Sequence, residues 1–568
     1  MATEELELMG RAVNFGHAVG SAFIFKKRSS VVPEFTISVE QIPQEWERFE
    51  KACKIAERQL QECKSDIENG SKFQRGEVFD IQIALLKDSY VLQELKQTLH
   101  SSLKNVEVCL QEVVKNCIQR FHESDSLPVR ERYLDLQDVS HRLLRILTGT
   151  DAFADNYPIG VICIAENLEP SDVVRLKNAK ISGILLESDC ATSHAVILAK
   201  SLHVPILIGV QDACSKIKEG ATVEIDSEMG VCWVNKRKVD ISVMPTLSFP
   251  DKIALDKEDV RFYLSYDGGT SSLLDKPAIA GIGLVRTEML FFNRENFPDE
   301  EEQFAFYKRI VESAHGKPVV LRTLDMGGDK MPESQHLQEQ NPFLGLRGIR
   351  YSLQHEDMFR HQLLAMLRAS AFGHVKILYP MISDVEELIR ANQILEACKQ
   401  ILSDKKVAFD TEIKVGAMLE TPSAALCINN LAQHCDFFSV GTNDLVQYTL
   451  AVDRTNPAVA KLYQMTHPAI LRYLHLIAQQ ANALQKEVLV CGELPNATIP
   501  FLMCLSLGYR SFVVYDNYVP HLASLCYKAG SSSLKKLATE ALEASSADAV
   551  ASVFEKYYKN FLSETKRS

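Results

Sequence analysis

The 568-residue chain is 46% hydrophobic and 24% charged, with a formal charge of −12. That length exceeds what one hydrophobic core supports, so about two to four domains are predicted. The acidic balance argues against a general binder of nucleic acid or anionic membrane, and no apolar run approaches the ~20 residues of a membrane helix.

The N-terminal MATEELELMG is acidic and lacks the basic start and apolar core of a secretory leader, so none is predicted. The fourteen cysteines are scattered without C-x-x-C pairs, a pattern that fits reduced thiols in the cytoplasm rather than a disulfide framework or zinc site. Residues 10–25 read as a turn and a short apolar strand, punctuated by Gly10, Gly16 and Gly20. From about Ser38 to Thr148, apolar residues recur at three- and four-residue spacing among charges, which predicts a bundle of four or more helices. Strand-like runs return at Gly160–Ala165, Ile184–Leu186, Pro205–Val210, Thr222–Ile225 and Val231–Val234. A small α/β domain is therefore expected over 1–37 and 149–236, with the helical bundle of 38–148 inserted into it.

Within that domain, Ser188–Val210 holds the turn Thr192-Ser193-His194 followed by the apolar run Ala195–Ala199. A Thr or Ser ahead of helix formers is a helix start, which places His194 where unpaired N–H groups and the positive helix end gather. That setting suits an imidazole carrying a phosphoryl group.

Residues 237–257 mix polar residues and prolines and read as a connector. Over 258–568, apolar runs alternate with amphipathic helices. The runs are Val260–Tyr266, Gly281–Thr287, Pro318–Asp325, Val375–Ile382, Lys414–Glu420, Phe437–Asn443, Glu487–Glu493 and Ser511–Tyr515. Eight strands with crossovers predict a (β/α)₈ barrel, its weakest unit being the first, since Asp267–Ala280 is short for a loop and a helix.

Active sites of such barrels lie at the carboxyl ends of the strands. The second run ends in Arg286-Thr287-Glu288, and the third carries Arg322 and then Asp325. The fifth ends in Glu420-Thr421-Pro422, the sixth in Asn443-Asp444 with Arg454 soon after, and the seventh in Cys491-Gly492-Glu493. Arginines grip phosphate with a rigid fork of donors. Paired carboxylates suit Mg²⁺, and a thiol serves as nucleophile or proton donor. The expected substrate is a small phosphorylated acid, and the expected reaction is phosphoryl transfer.

The stretches TSHAVILAKSLHVPILIG, GIGLVRTEMLFFNRENFPDEEEQF, LRTLDMGGDK, NPFLGLRGIR, GAMLETPSAA, FFSVGTNDLVQYTLAVDRTNP and VCGEL come in one order along nearly the whole chain. In them the chain resembles enzyme I of the bacterial phosphotransferase system, the phosphoenolpyruvate–protein phosphotransferase family. The resemblance implies that His194 is phosphorylated on Nε2 and that Arg286, Arg322 and Arg454 clamp phosphoenolpyruvate with Asn443 and Asp444. Lys330, Arg347 and Gln447 are lesser contacts. It further implies that Glu420 and Asp444 hold Mg²⁺, that Cys491 protonates the enolate carbon to give pyruvate, and that Glu493 supports its loop. The helical insertion is similar to the docking surface for the histidine carrier protein HPr. The resemblance also implies a homodimer. Because the histidine and the barrel rim are expected in separate domains, the first domain is expected to swing, with the 237–257 connector as part of the hinge.

The chain departs from the family in the histidine domain. Asp189-Cys190-Ala191 stand where relatives usually have Gly-Gly-Arg, which removes permissive glycines and a cation. Glu169 stands for a usual Thr, and Asn14-Phe15-Gly16 for a Ser-Pro-Gly-like motif. The alternatives are a phosphoenolpyruvate-sensing regulatory protein with degenerate phosphotransfer, and a phosphoenolpyruvate synthase or pyruvate phosphate dikinase. The latter needs an ATP-binding domain for which no glycine-rich loop is present.

Overall fold

The apolar runs after residue 160 are too short for helices and form strands buried on both faces. The computed structural model describes residues 5–13, 17–25, 32–68, 77–122, 127–149, 158–179, 181–188, 196, 205–227, 230–235, 252–256, 258–266, 271–291, 297–327, 339, 341–454, 456 and 459–564. They fall into two units, Met1–Val243 and Met244–Ser568.

The first unit contains β1 (Leu6–Met9), β2 (Arg11–Ala12), β3 (His17–Ile24), β4 (Ile162–Ala165), β5 (Gly183–Leu186), β6 (Ile206–Ile208), β7 (Thr222–Asp226) and β8 (Val231–Val234). They form one sheet in the order β1-β8-β7-β3-β4-β5-β6-β2. The run β3 to β6 is parallel, and the remaining pairs are antiparallel. Because side chains alternate along a strand, Ile162 and Ile164 of β4 enter one core with Leu185, Leu207 and Ile225. Cys163 and Ala165 enter the opposite core with Ile184, Ile206 and Ile208.

Helices cover that second face. They are α1 (Ile42–Glu68), α2 (Glu77–Leu86), α3 (Ser89–Ser102), α4 (Val106–His122) and α5 (Leu127–Leu147), and they enter the chain between β3 and β4. Those two strands nonetheless lie side by side in register, with Ala22 opposite Ile162 and Ile24 opposite Ile164. The face of α1 carries Phe49, Ala52, Ala56, Leu60 and Cys63 at three- and four-residue spacing, all buried. Emptying the Phe49 position to alanine costs about 3–5 kcal/mol by the usual cavity penalty. Asp88 starts α3 by accepting from the N–H groups of Tyr90 and Val91. Strand β1 is absent from the sequence expectation. Its four residues alternate half-buried and exposed, and Glu7 earns its place by accepting from the Trp233 indole at 2.9 Å.

In the second unit, β9 (Ala254–Leu255) pairs with β10 (Glu258–Asp259) as a short hairpin. Next comes a closed barrel of eight parallel strands: β11 (Arg261–Tyr266), β12 (Ile279–Arg286), β13 (Val319–Arg322), β14 (Val375–Tyr379), β15 (Lys414–Leu419), β16 (Phe437–Gly441), β17 (Glu487–Cys491) and β18 (Ser511–Val514). The fold class is thus the (β/α)₈ barrel together with an α/β domain carrying helices. Between β11 and β12, the described residues form a four-residue 3₁₀ turn, Ser272–Asp275, and no helix. The barrel interior is packed with Tyr263, Leu284, Val320, Leu378, Met418, Phe437, Leu489, Cys491 and Val513. Large rings need small partners: a Cβ on Gly416 would lie 2.4 Å from the Phe437 ring.

At the amino end of the barrel, Glu487 takes hydrogen bonds from Lys376 Nζ at 2.8 Å, Arg261 Nη1 at 3.1 Å and the Tyr263 hydroxyl at 3.3 Å. Among the described residues no helix is long and apolar enough to cross a membrane.

Candidate active site at the carboxyl rim of the barrel

Strand β12 ends on Arg286, which is exposed, and the chain then tightens into the 3₁₀ turn Thr287–Leu290. That turn drives Glu288 inward. Thr287 Oγ1 donates to the Arg322 carbonyl at 2.9 Å and is itself held by Gln362 Nε2 at 3.2 Å, so the ends of β12 and β13 are tied together. Arg322 ends β13 buried, with Nη2 on Glu288 at 2.9 Å and Nη1 on Asp325 at 3.1 Å. Burial alone would lower its pKa; Glu288, Asp325 and Glu420 more than reverse that, so it stays charged.

Arg347 reaches the same rim and is only 1% exposed. Its Nη2 spans both oxygens of Asp325 at 3.1 and 3.2 Å, while Asp444 lies farther, at 3.4 Å from each terminal nitrogen. Gly327, at φ +132, packs against it so closely that a Cβ there would sit 2.2 Å from the Arg347 Cβ.

Glu420 follows β15 and is 1% exposed. One oxygen accepts from the Met381 N–H at 2.5 Å. Burial, then the charges of Asp444 and Asp325, push its carboxyl up to about 8, although Arg322 and Arg347 pull the other way. Asp444 sits in the first turn of the helix Thr442–Leu450, where the positive helix end favours a carboxylate. Arg454 stands 3.9 Å from it, and its backbone N–H donates to Gln447 Oε1 at 3.2 Å. Asn443 Oδ1 accepts from the Glu493 N–H at 2.8 Å, closing the β16 and β17 loops on each other. Cys491 ends β17, and burial lifts its thiol to about 11 with Ser439 pulling back.

Arg286, Arg322, Glu420, Asn443, Asp444, Arg454 and Cys491 therefore meet at one rim, together with Arg347 and Gln447. His194, the Asp189–Ala191 stretch, Asn14–Gly16 and Lys330 lie outside the described residues. Glu169 is described: it is buried before the helix α6 (Pro170–Asn178), bonded to His141 Nδ1 at 2.9 Å, with Arg145 at 3.7 Å. Ser439, Gln362 and Tyr307 support the rim without having been singled out from sequence. For Ser439 a signal exists, a lone hydroxyl in the apolar run FFSVG.

The rim has capacity left for an anion. Arg322 Nε, Arg347 Nε and Arg454 Nη1 are buried without a hydrogen-bond partner among the described residues, and an unspent buried N–H is costly unless a ligand uses it. It also suits a hard divalent cation. Glu420 is short of compensating charge, and Asp444 is held only by contacts of 3.4 Å or more. No cage of three or more His, Cys, Asp or Glu occurs among the described residues.

A parallel barrel with its polar groups gathered at the carboxyl end is the usual framework of a barrel enzyme's active site. The family models for the PEP-utilising enzyme N-terminal region, mobile domain and PEP-binding domain match residues 9–132, 157–230 and 270–529. A phosphoenolpyruvate-protein phosphotransferase of Listeria monocytogenes is 33% identical over 97% of this chain and 99% of its own. Proteins of the same name from Priestia megaterium and Bacillus subtilis are 35% and 33% identical, each over 89% of this chain and 91% of their own. The chain belongs to the phosphoenolpyruvate–protein phosphotransferase family, and it is an enzyme of that class.

Proposed function

We propose that the chain takes the phosphoryl group of phosphoenolpyruvate onto its own His194 and passes it to HPr, releasing pyruvate, as the first step of a cytoplasmic sugar phosphotransferase system. The observation carrying this is the set of three guanidiniums, Arg322 and Arg347 buried and Arg454 half-buried, each with an unspent buried N–H, at the rim that also holds a protonated thiol. Arg322 and Arg454 grip the phosphate and carboxylate of the substrate, Arg286 approaches from the exposed edge, and Asn443 adds a side-chain amide. Glu420 and Asp444 would hold Mg²⁺, which when bound offsets charge on phosphate and enolate.

In the transfer, the bond between phosphorus and the enol oxygen breaks as the bond to His194 Nε2 forms. The imidazole must be neutral, since imidazolium has no lone pair. The enolate left behind takes a proton at its methylene carbon from Cys491 Sγ, giving pyruvate, and the thiolate recovers its proton from solvent. A thiol held to about 11 is fully protonated at neutral pH, as a donor must be.

The test is to mix the full chain with phosphoenolpyruvate, Mg²⁺ and purified HPr, and to follow phosphohistidine and pyruvate together, with His194→Ala as control. Phosphoenolpyruvate binding with no phosphohistidine would favour the regulatory reading instead.

A further inference from the structure

The two carboxylates nearest the arginines have no part in the roles above. Glu288 and Asp325 are buried, with side-chain exposures of 4% and 0%. One oxygen, Glu288 Oε1, accepts both Arg322 Nη2 at 2.9 Å and the Asp325 backbone N–H at 2.7 Å. Asp325 then joins the two guanidiniums, taking Arg322 Nη1 at 3.1 Å and Arg347 Nη2 at 3.1 and 3.2 Å.

We propose that Glu288 and Asp325 are a positioning pair, setting the planes of the Arg322 and Arg347 guanidiniums for the phosphorylated substrate; this rests on the reading of the rim as the phosphoenolpyruvate site. A guanidinium is flat, so pinning its terminal nitrogens fixes where the remaining N–H points. The pair pins Arg322 at both terminal nitrogens and Arg347 at Nη2, whose Nη1 the Tyr448 hydroxyl holds at 3.0 Å, while Nε of each stays unspent. With Asp325 neutral, Arg347 Nη2 would lose its charged partner at 3.1 and 3.2 Å, leaving the Tyr448 hydroxyl at 3.0 Å on Nη1 and the 3.4 Å contacts to Asp444. Neither residue touches the reacting atoms, so neither is catalytic.

The experiment uses the full chain as wild type, Glu288→Gln, Asp325→Asn and the double variant. Pyruvate formation from phosphoenolpyruvate with Mg²⁺ and HPr is measured, with phosphoenolpyruvate affinity by calorimetry and urea melts in parallel. Each single variant raises KM and Kd by about 10- to 100-fold, the worth of hydrogen bonds to charged groups. The same variants change kcat by less than about threefold, because the reacting groups remain. The double variant falls short of the product of the two, since both residues hold one guanidinium. Folded variants with unchanged KM and Kd, or with a fall confined to kcat, would overturn the proposal. Should Asp325→Asn fail to fold, Glu288→Gln decides by the same criteria. A wild type that binds phosphoenolpyruvate but makes no pyruvate sinks the proposed transfer reaction, and the calorimetric arm still judges the positioning pair. A wild type that does not bind it sinks both.

Discussion

Ser439 Oγ lies 3.4 Å from Cys491 Sγ as a donor, while the thiol gives its own proton to the Val440 carbonyl at 3.2 Å. The sulfur therefore rests as a satisfied neutral thiol, and the serine is placed to solvate the thiolate that the proposed proton donation would leave. Cys491→Ala is expected to cut pyruvate formation by about 10²- to 10⁴-fold, the range for a lost general acid. Phosphoenolpyruvate affinity should be unmoved. Because the thiol titrates near 11, the wild-type rate should show no alkaline fall centred on the ~8.5 of an ordinary cysteine. A limb there that Cys491→Ala abolishes would refute this assignment.

Glu420 predicts how metal-free stability depends on pH. Its folded carboxyl sits near 8 against an ordinary 4.5, first through burial and then through Asp444 and Asp325. A raised carboxyl means the folded state binds more protons than the unfolded one between those values, so stability falls as pH rises through that window. In EDTA, the melting temperature should decline by a few degrees from pH 5 to 8.5, and Glu420→Gln should flatten the slope. Adding Mg²⁺ should stabilise the wild type most at the alkaline end, where the carboxylate is ionised. Equal slopes for wild type and variant would contradict the assignment.

Glu487 acts at the opposite end of the barrel. Burial would raise its carboxyl, but Lys376 and Arg261 outweigh that and hold it below the ordinary range. Its contribution is therefore present above about pH 4.5 and lost as the medium acidifies through its folded pKa. Glu487→Ala leaves Lys376 without its carboxylate and should cost about 2 kcal/mol in urea unfolding, within the range for a broken charged hydrogen bond. KM for phosphoenolpyruvate should stay within about twofold, since amino-end residues of such barrels serve stability.

Gly327→Ala tests whether the loop before Arg347 depends on a missing side chain. The new methyl would meet the Arg347 Cβ at 2.2 Å and its Cα at 2.6 Å, both close to rigid backbone. Position 327 and Arg347 have to move apart, which displaces Arg347 from Asp325. A stability loss of about 1–3 kcal/mol is expected from overpacking, with phosphoenolpyruvate binding weakened. Gly316→Ala is the control: it also has positive φ, but nothing lies within 4 Å of its added methyl. It should lose stability without losing affinity.

The ends of the barrel strands show where sequence reading overran. Pro318–Asp325 is expected as strand, yet the ladder stops at Arg322, and Phe437–Asn443 stops at Gly441. Residues beyond those points leave the ladder because their polar side chains turn to partners across the rim: Asp325 to two arginines, Asn443 to the Glu493 N–H. The 3₁₀ turn in place of a first barrel helix follows from a segment too short for one. In the first unit, the likeness to a family points to a threonine before α6. Only the folded chain shows the glutamate at 169 engaged with His141 of α5, a residue 28 positions away.

Alternation of apolar residues, turn residues between runs, and polar groups at the ends of runs are local properties. The sequence alone therefore determined the eight-stranded barrel, the rim where its polar groups gather, and Arg286, Arg322, Glu420, Asn443, Asp444, Arg454 and Cys491 as the groups to watch. Only the tertiary structure decided how they divide their charge. Arg322 and Arg347 go to Asp325, Asp444 is left loosely held, Glu420 is driven towards neutrality and Cys491 is sealed as a thiol. Those outcomes depend on distance and dielectric between residues up to about 170 positions apart, which no local pattern encodes.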